Sequence, residues 1–198
     1  MTEVKSHGDK VAKMQDASLE NMQHQSQDTY LYVIGFKISR KSTQVLYTLY
    51  LCGNIDQELI ARDKDSNLLF CQKLENLQDL IEHTEPELAS YPVYSGEPYI
   101  TYDFQQVLKL VSSENIDDNA AIINLLNVLF DMVDTASIQM PIHIREILYP
   151  LQGHTTFHTN IVTFYDTTGI SRQQTIDALY WCLGAVCSKM VIIDWHAA

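Results

Sequence analysis

Asn124, Asn127, Asp131 and Asp134 recur at three- and four-residue spacing within the segment NAAIINLLNVLFDMVDTA. On a helix this spacing gathers two amides and two carboxylates into one stripe. Asp131 and Asp134 then become neighbours able to share a cation or a basic side chain of a partner. The plain alternative is the solvated side of an otherwise enclosed helix. A helix covered all round would bury these groups and oblige them to find partners. His154 and His158, four apart in GHTTFHTN with His143 eleven residues earlier, form a second set. An H-x3-H pair binds zinc when a helix presents it near a third ligand. Gly153, two threonines and Asn160 point instead to a loop, no HExxH occurs, and no metal site is expected.

The third set is aromatic. TEPELASYPVYSGEPYIT carries three prolines together with Tyr91, Tyr94 and Tyr99, more than a simple connector needs. Exposed tyrosines make rigid, amphipathic contacts with a partner, whereas the bland reading has them covering the edge of the core. Signatures of catalysis are missing. There is no G-x-S-x-G, no GxGxxG and no phosphate loop, and the seven glycines are scattered. Cys71 and Cys182 lie in apolar contexts that raise a thiol pKa. Cys52, Cys71, Cys182 and Cys187 form no CxxC, and a bridge between Cys182 and Cys187 would join positions about 140° apart on a helix. Tyr180-Trp181 and Trp195-His196 read as filling the core boundary rather than lining a pocket.

The elements that must hold these residues follow from periodicity. YLYVIGFKI (30–38) and QVLYTLYLC (44–52) read as an antiparallel strand pair. Both faces of the second strand are mostly apolar, so it is covered on each side or by an oligomer partner. LLFCQ reads as a third strand and LENLQDLIEH as a helix. Asp103 caps FQQVLKLVSS, and Asp117 or Asp118 caps the helix opening at Asn119. That helix carries Ile122, Leu125, Leu126, Leu129 and Val133 within an apolar arc of about 180°. MPIHIREILYPL predicts one or two helical turns closed by Pro150, and IVTFYD (161–166) predicts a strand. Ser171 and Gln174 form a capping box that opens a long helix. VIID is a last strand or an apolar tail. The class is therefore α+β, an antiparallel sheet mainly from the N-terminal half packed by helices mainly from the C-terminal half.

Residues 1–28 read as a polar extension, either a short amphipathic helix around 10–23 or a loosely held tail, ahead of one globular domain over 29–198. No apolar run of signal-peptide or membrane-spanning length occurs, so the expected location is cytoplasmic. With 46% apolar residues the 198-residue chain can bury a sizeable core, and its net charge is −12. That charge works against binding nucleic acid or an anionic membrane and suits a basic protein partner. The expectation is a non-catalytic acidic interaction protein that inhibits such a partner, with no cofactor. Its partner-binding residues would be Asp131, Asp134, Asn124, Asn127, Tyr91, Tyr94 and Tyr99. In general plan the chain is similar to small acidic bacterial immunity proteins, a likeness that no motif carries and from which no residue is transferred. The alternative is a small-molecule- or metal-binding enzyme with a pocket where Asp131, Asp134, His154 and His158 converge.

Overall fold

In the computed structural model, residues 29–39, 43–53, 58–113, 119–158 and 160–194 are described. The expectations for residues 1–28, for Asp117 and Asp118 as caps, and for Trp195-His196 lie outside them. Strand β1 (Tyr30–Lys37) pairs antiparallel with β2 (Leu46–Cys52), so that Tyr32 faces Tyr50 and Val33 faces Leu49. β3 (Leu59–Ile60) extends the pair beyond β2, and β5 (Ile100–Asp103) lies parallel to β1 on its other side. The order is β3-β2-β1-β5, which makes β2 and β1 central as their two apolar faces require. β4 (Leu68–Phe70) pairs in parallel with β6 (Met190–Ile192). The class is α+β, and the sheet is mixed rather than wholly antiparallel. Gly35 permits the close approach of β5: a Cβ there would lie 2.8 Å from Thr101 Oγ1 and 2.9 Å from Val45 Cγ1.

One face of the sheet is covered by α1 (Leu77–His83), α2 (Pro86–Ala89) and β4, around Leu31, Val33, Leu49, Leu51, Leu69 and Leu80. The other face carries the larger core, built with α3 (Phe104–Ser112), α4 (Asn119–Thr135), α5 (Ile142–Phe157), α6 (Ile161–Thr168) and α7 (Arg172–Ser188). Asp103 Oδ1 accepts from the Gln106 amide at 3.0 Å, and the Ser171–Gln174 capping box is in place. Burying a leucine, isoleucine or phenylalanine stabilises the fold by roughly 1.5–3 kcal/mol each. The inner side of α4, with Ile122, Leu125, Leu126, Leu129, Met132 and Val133 all 1% exposed or less, is therefore the main anchor of the helical layer.

Two expectations need correction. Pro150 does not close a helix; it sits inside α5, which continues to Phe157 and takes in His154. Pro150 and Tyr149 are exposed while Leu148, Leu151 and Thr155 are buried. The lost amide donor and the ring thus fall on the solvent side, and the core contacts on the other side hold the helix together. IVTFYD is not a strand but the body of α6. Asn160 caps it, accepting from the Val162 amide at 2.9 Å, and Gly169 ends it at φ 70°. Thr167 and Thr168 donate to the carbonyls of Thr163 and Phe164, which satisfies hydroxyls in a helix of otherwise β-prone residues. Among the described residues no helix is long and apolar enough to cross a membrane.

Candidate functional site

The sequence YLYVIGFK places tyrosines on one side of β1 at its start and apolar residues on both sides afterwards. Burial follows that change. Leu31 and Val33 are 1% exposed toward the smaller core. Tyr30 and Tyr32, on the opposite face, are only half-buried, whereas from Ile34 to Phe36 the strand is buried on both faces. The difference is made by α4, which crosses this face. Its Thr135 Oγ1 accepts from the Ile60 amide of β3 at 3.2 Å, its Asp131 meets Tyr50 of β2, and its Asn124 and Leu125 border β5. The tyrosine end of the face is left partly open.

The proline-rich segment supplies the rest of that end. It is tied along β1 by backbone hydrogen bonds: Leu31 N–H to Pro92, Tyr94 N–H to Leu31 and Tyr99 N–H to Val33, at 2.8–2.9 Å. Val93 turns into the smaller core, so Tyr94 falls on the open face. Tyr32 lies at the centre of the cluster, its ring centroid 5.0 Å from Tyr94 and 5.1 Å from Tyr99, with Tyr30 edge-on to both Tyr32 and Tyr94. Tyr102 stacks on Phe36 at 5.1 Å on the same face.

Beside the rings stands a cluster of proton-bearing groups. The Tyr50 hydroxyl donates to Asp131 Oδ2 at 2.9 Å and also touches Glu58 Oε2. The Cys52 thiol donates to Glu58 Oε1 at 3.0 Å. Burial, with Glu58 and Asp134 nearby, pushes the Asp131 carboxyl up to about 6 against the pull of the Tyr50 bond. Burial and then Glu58 raise the Cys52 thiol to about 11, and burial with Asp131 and Glu58 raises Tyr102 to about 12. Tyr50 is also raised, by burial first and then by its two carboxylate neighbours. A phenol has one proton and here touches two carboxylates. The group is fully satisfied only when one further donor arrives, either a proton on Asp131 or a group from outside.

The residues singled out from sequence separate. Asp131 is half-buried and faces the sheet, while Asn124, Asn127 and Asp134 are exposed on the solvated side of α4. Asn127 accepts from Gln152 of α5, and Asn124 lines a cleft of about 220 Å3 between β5 and α4. Tyr94 and Tyr99 join the open end of the sheet, but Tyr91 packs against the smaller core. His154 and His158 lie together, with ring centroids 4.7 Å apart, at the opposite end of α4 from Asp131. The Asn119 amide donates to the His158 carbonyl, and Asn119 is twelve residues, about 18 Å, from Asp131 along the helix. The four residues of the alternative pocket therefore do not converge. His154 Nε2 donates to the Asn160 carbonyl at 2.8 Å, and no group of three or more metal-binding side chains occurs among the described residues. Cys71 and Cys182 are buried thiols pushed up to about 12 by burial. Trp181 packs against the main core, while Tyr180 is exposed.

Tyr30, Tyr32, Tyr50, Cys52 and Glu58 are the site members that residue-type reasoning missed. Their signal was available in YLYVIGFK, where the polar tips of the first two tyrosines mark one face as half-wet before both faces turn apolar.

No family model matches the chain, and no curated protein matches it. Among solved structures, the C-terminal domain of SatS, crystallised in complex with bromine, aligns over 82% of this chain and 93% of its own length. Its TM-score is 0.46 and its identity 11%, which carries no argument about function.

Proposed function

We propose that this chain is a non-catalytic interaction protein whose tyrosine–carboxylate surface binds a basic protein partner, and that covering the partner's basic surface inhibits it. The observation that supports this most is the coincidence of bare rings and unmatched charge. Tyr94 is 58% and Tyr99 71% exposed. The ion pairs among the described residues are Lys37–Asp103, Arg62–Glu85 and Lys73–Glu75, and none reaches Asp131 or Glu58. Exposed tyrosines around a desolvated centre are the usual anchors of an interface. A pair of like charges without a counter-ion gains when a cation arrives, and the net charge of −12 steers such a partner inward. Asn124, Asn127 and Asp134 are rim positions on the same helix in this reading.

Affinity capture from the native host's lysate at low and moderate salt, read by mass spectrometry, tests it. The expected result is one basic protein recovered stoichiometrically, released as salt rises, and lost from the double variant Asp131→Asn, Tyr99→Ser. Equal recovery by that variant removes this surface from the interface.

A further inference from the structure

We infer that this surface recognises an arginine side chain of its partner, the guanidinium bridging the Asp131 and Glu58 carboxylates on either side of Tyr50 and stacking on the tyrosine rings. The inference rests on the interaction reading above and names the chemistry that satisfies it.

The first reason is a shortage of donors. One Tyr50 proton lies between two carboxylates, the Cys52 thiol covers Glu58 Oε1, and Asp131 Oδ1 accepts from no described residue. What completes the set must bring several N–H groups spread over two acceptors. A guanidinium carries five in a planar fork, whereas an ammonium offers three from one point and holds its water more tightly.

The second reason is the shape of the aromatic surface. Tyr94 lies nearly parallel to Tyr32, at 30° and 5.0 Å, and Tyr99 leans on Tyr32 at 57° and 5.1 Å. The rings touch one another, so they form a platform and not a box around a round cation. A flat cation suits a platform, since its plane can lie on a ring face while its edge donates sideways.

The third reason is reach. Tyr32 and Tyr50 are cross-strand partners on one face, so rings and carboxylates stand within a few ångströms of each other. Tyr102 senses the charges of Asp131 and Glu58 and also Tyr99, which makes the two parts one continuous surface.

Proton and guanidinium supply the same missing donor, so they compete. The groups facing Asp131 are Tyr50, Glu58, Asp134, Tyr102 and Cys52, and all but the two carboxylates are neutral at pH 5–7. Arginine binding therefore weakens as pH falls through about 6, where Asp131 takes up its proton.

The test is an NMR titration of the full chain with acetyl-Gly-Arg-Gly-Gly-Arg-Gly-amide and with the same peptide carrying lysine or citrulline. The arginine peptide is expected to shift Tyr94, Tyr99 and Cys52 resonances and to bind about three- to tenfold more tightly than the lysine peptide. Citrulline, which keeps the shape without the charge, should produce no shift. Tyr99→Ser and Asp131→Asn should abolish the arginine response, whereas Tyr99→Phe, which keeps the ring, should preserve it. An unchanged spread of core resonances establishes that each variant is folded. Equal binding of the arginine and lysine peptides at this surface overturns the arginine preference and leaves the basic-partner reading standing. Shifts confined to another surface, or none with either cationic peptide, overturn both.

Discussion

At the start of α4 the polar side chains are paired with backbone. Asn119 donates to the carbonyl of His158, His154 donates to that of Asn160, and Asn127 is joined to Gln152. At the far end of the same helix Asp131 meets other side chains, Tyr50 and through it Glu58 and Cys52, with tyrosine rings beside them. Both ends looked chemically promising as residue types. The histidine end is satisfied by its own surroundings and tightens the turn between α5 and α6. The aspartate end has two carboxylates around one phenolic proton. A polar group suggests function when its neighbours leave it short of a partner, and only the second end does so.

The largest perturbation should strike both ends together. Leu126, fully buried at the middle of α4, anchors the whole helix. Leu126→Ala is expected to cost about 2–5 kcal/mol in urea denaturation, more than any change at either end alone. Tyr50→Phe should come next, at about 1–2 kcal/mol at pH 7, because it strips the shared donor from two half-buried carboxylates. A cost near zero would mean that water already serves those oxygens.

The pH dependence of stability sharpens the contrast. Asp131 titrates at about 6 in the folded chain, above its ordinary 3.8, so the folded state holds more protons between those values. Its contribution to stability is therefore fully present below about pH 4 and is lost as pH rises to about 6. Thermal midpoints measured across pH 4–7 should carry this downward slope, and Asp131→Asn should remove it while raising the midpoint at pH 7. A variant whose slope matches the parent's would assign the titration to another group. The smallest effects belong to two changes that separate stability from binding. His154→Ala should cost about 1 kcal/mol or less, the worth of one hydrogen bond, and leave partner capture intact. Tyr94→Ser with Tyr99→Ser should change stability by less than about 0.5 kcal/mol and abolish capture.

Much of the scaffold was legible because it is local. The alternation in YLYVIGFK and LYTLYLC, the Asp103 and Ser171 caps, and the wide apolar arc of α4 each depend on residues within a turn or two of one another. The failures arose where distant contacts outweighed local preference. Pro150 normally ends a helix, yet Leu148, Leu151 and Thr155 are held in the core on the side away from its ring. IVTFYD has β-prone composition, but Asn160 and Gly169 bracket it with a helical start and stop. Those two signals were present in the sequence and weigh more than propensity once Ile161 and Phe164 find the core.

The site divides in the same way. The sequence by itself determined the acidity, the helical spacing of Asp131 and Asp134, and the tyrosines of the proline-rich segment. It also determined that Tyr30 and Tyr32 share one face of a strand, since side-chain alternation is a property of the backbone alone. Which of these meet was decided by tertiary structure. Tyr50 and Asp131 are 81 residues apart and touch because α4 crosses the sheet over β2. Tyr94 and Tyr99 reach Tyr32 because the segment carrying them is laced to β1 by backbone hydrogen bonds. His154 and His158 are kept from Asp131 by the length of α4, since a helix that rises 1.5 Å per residue fixes how far apart its ends must stand.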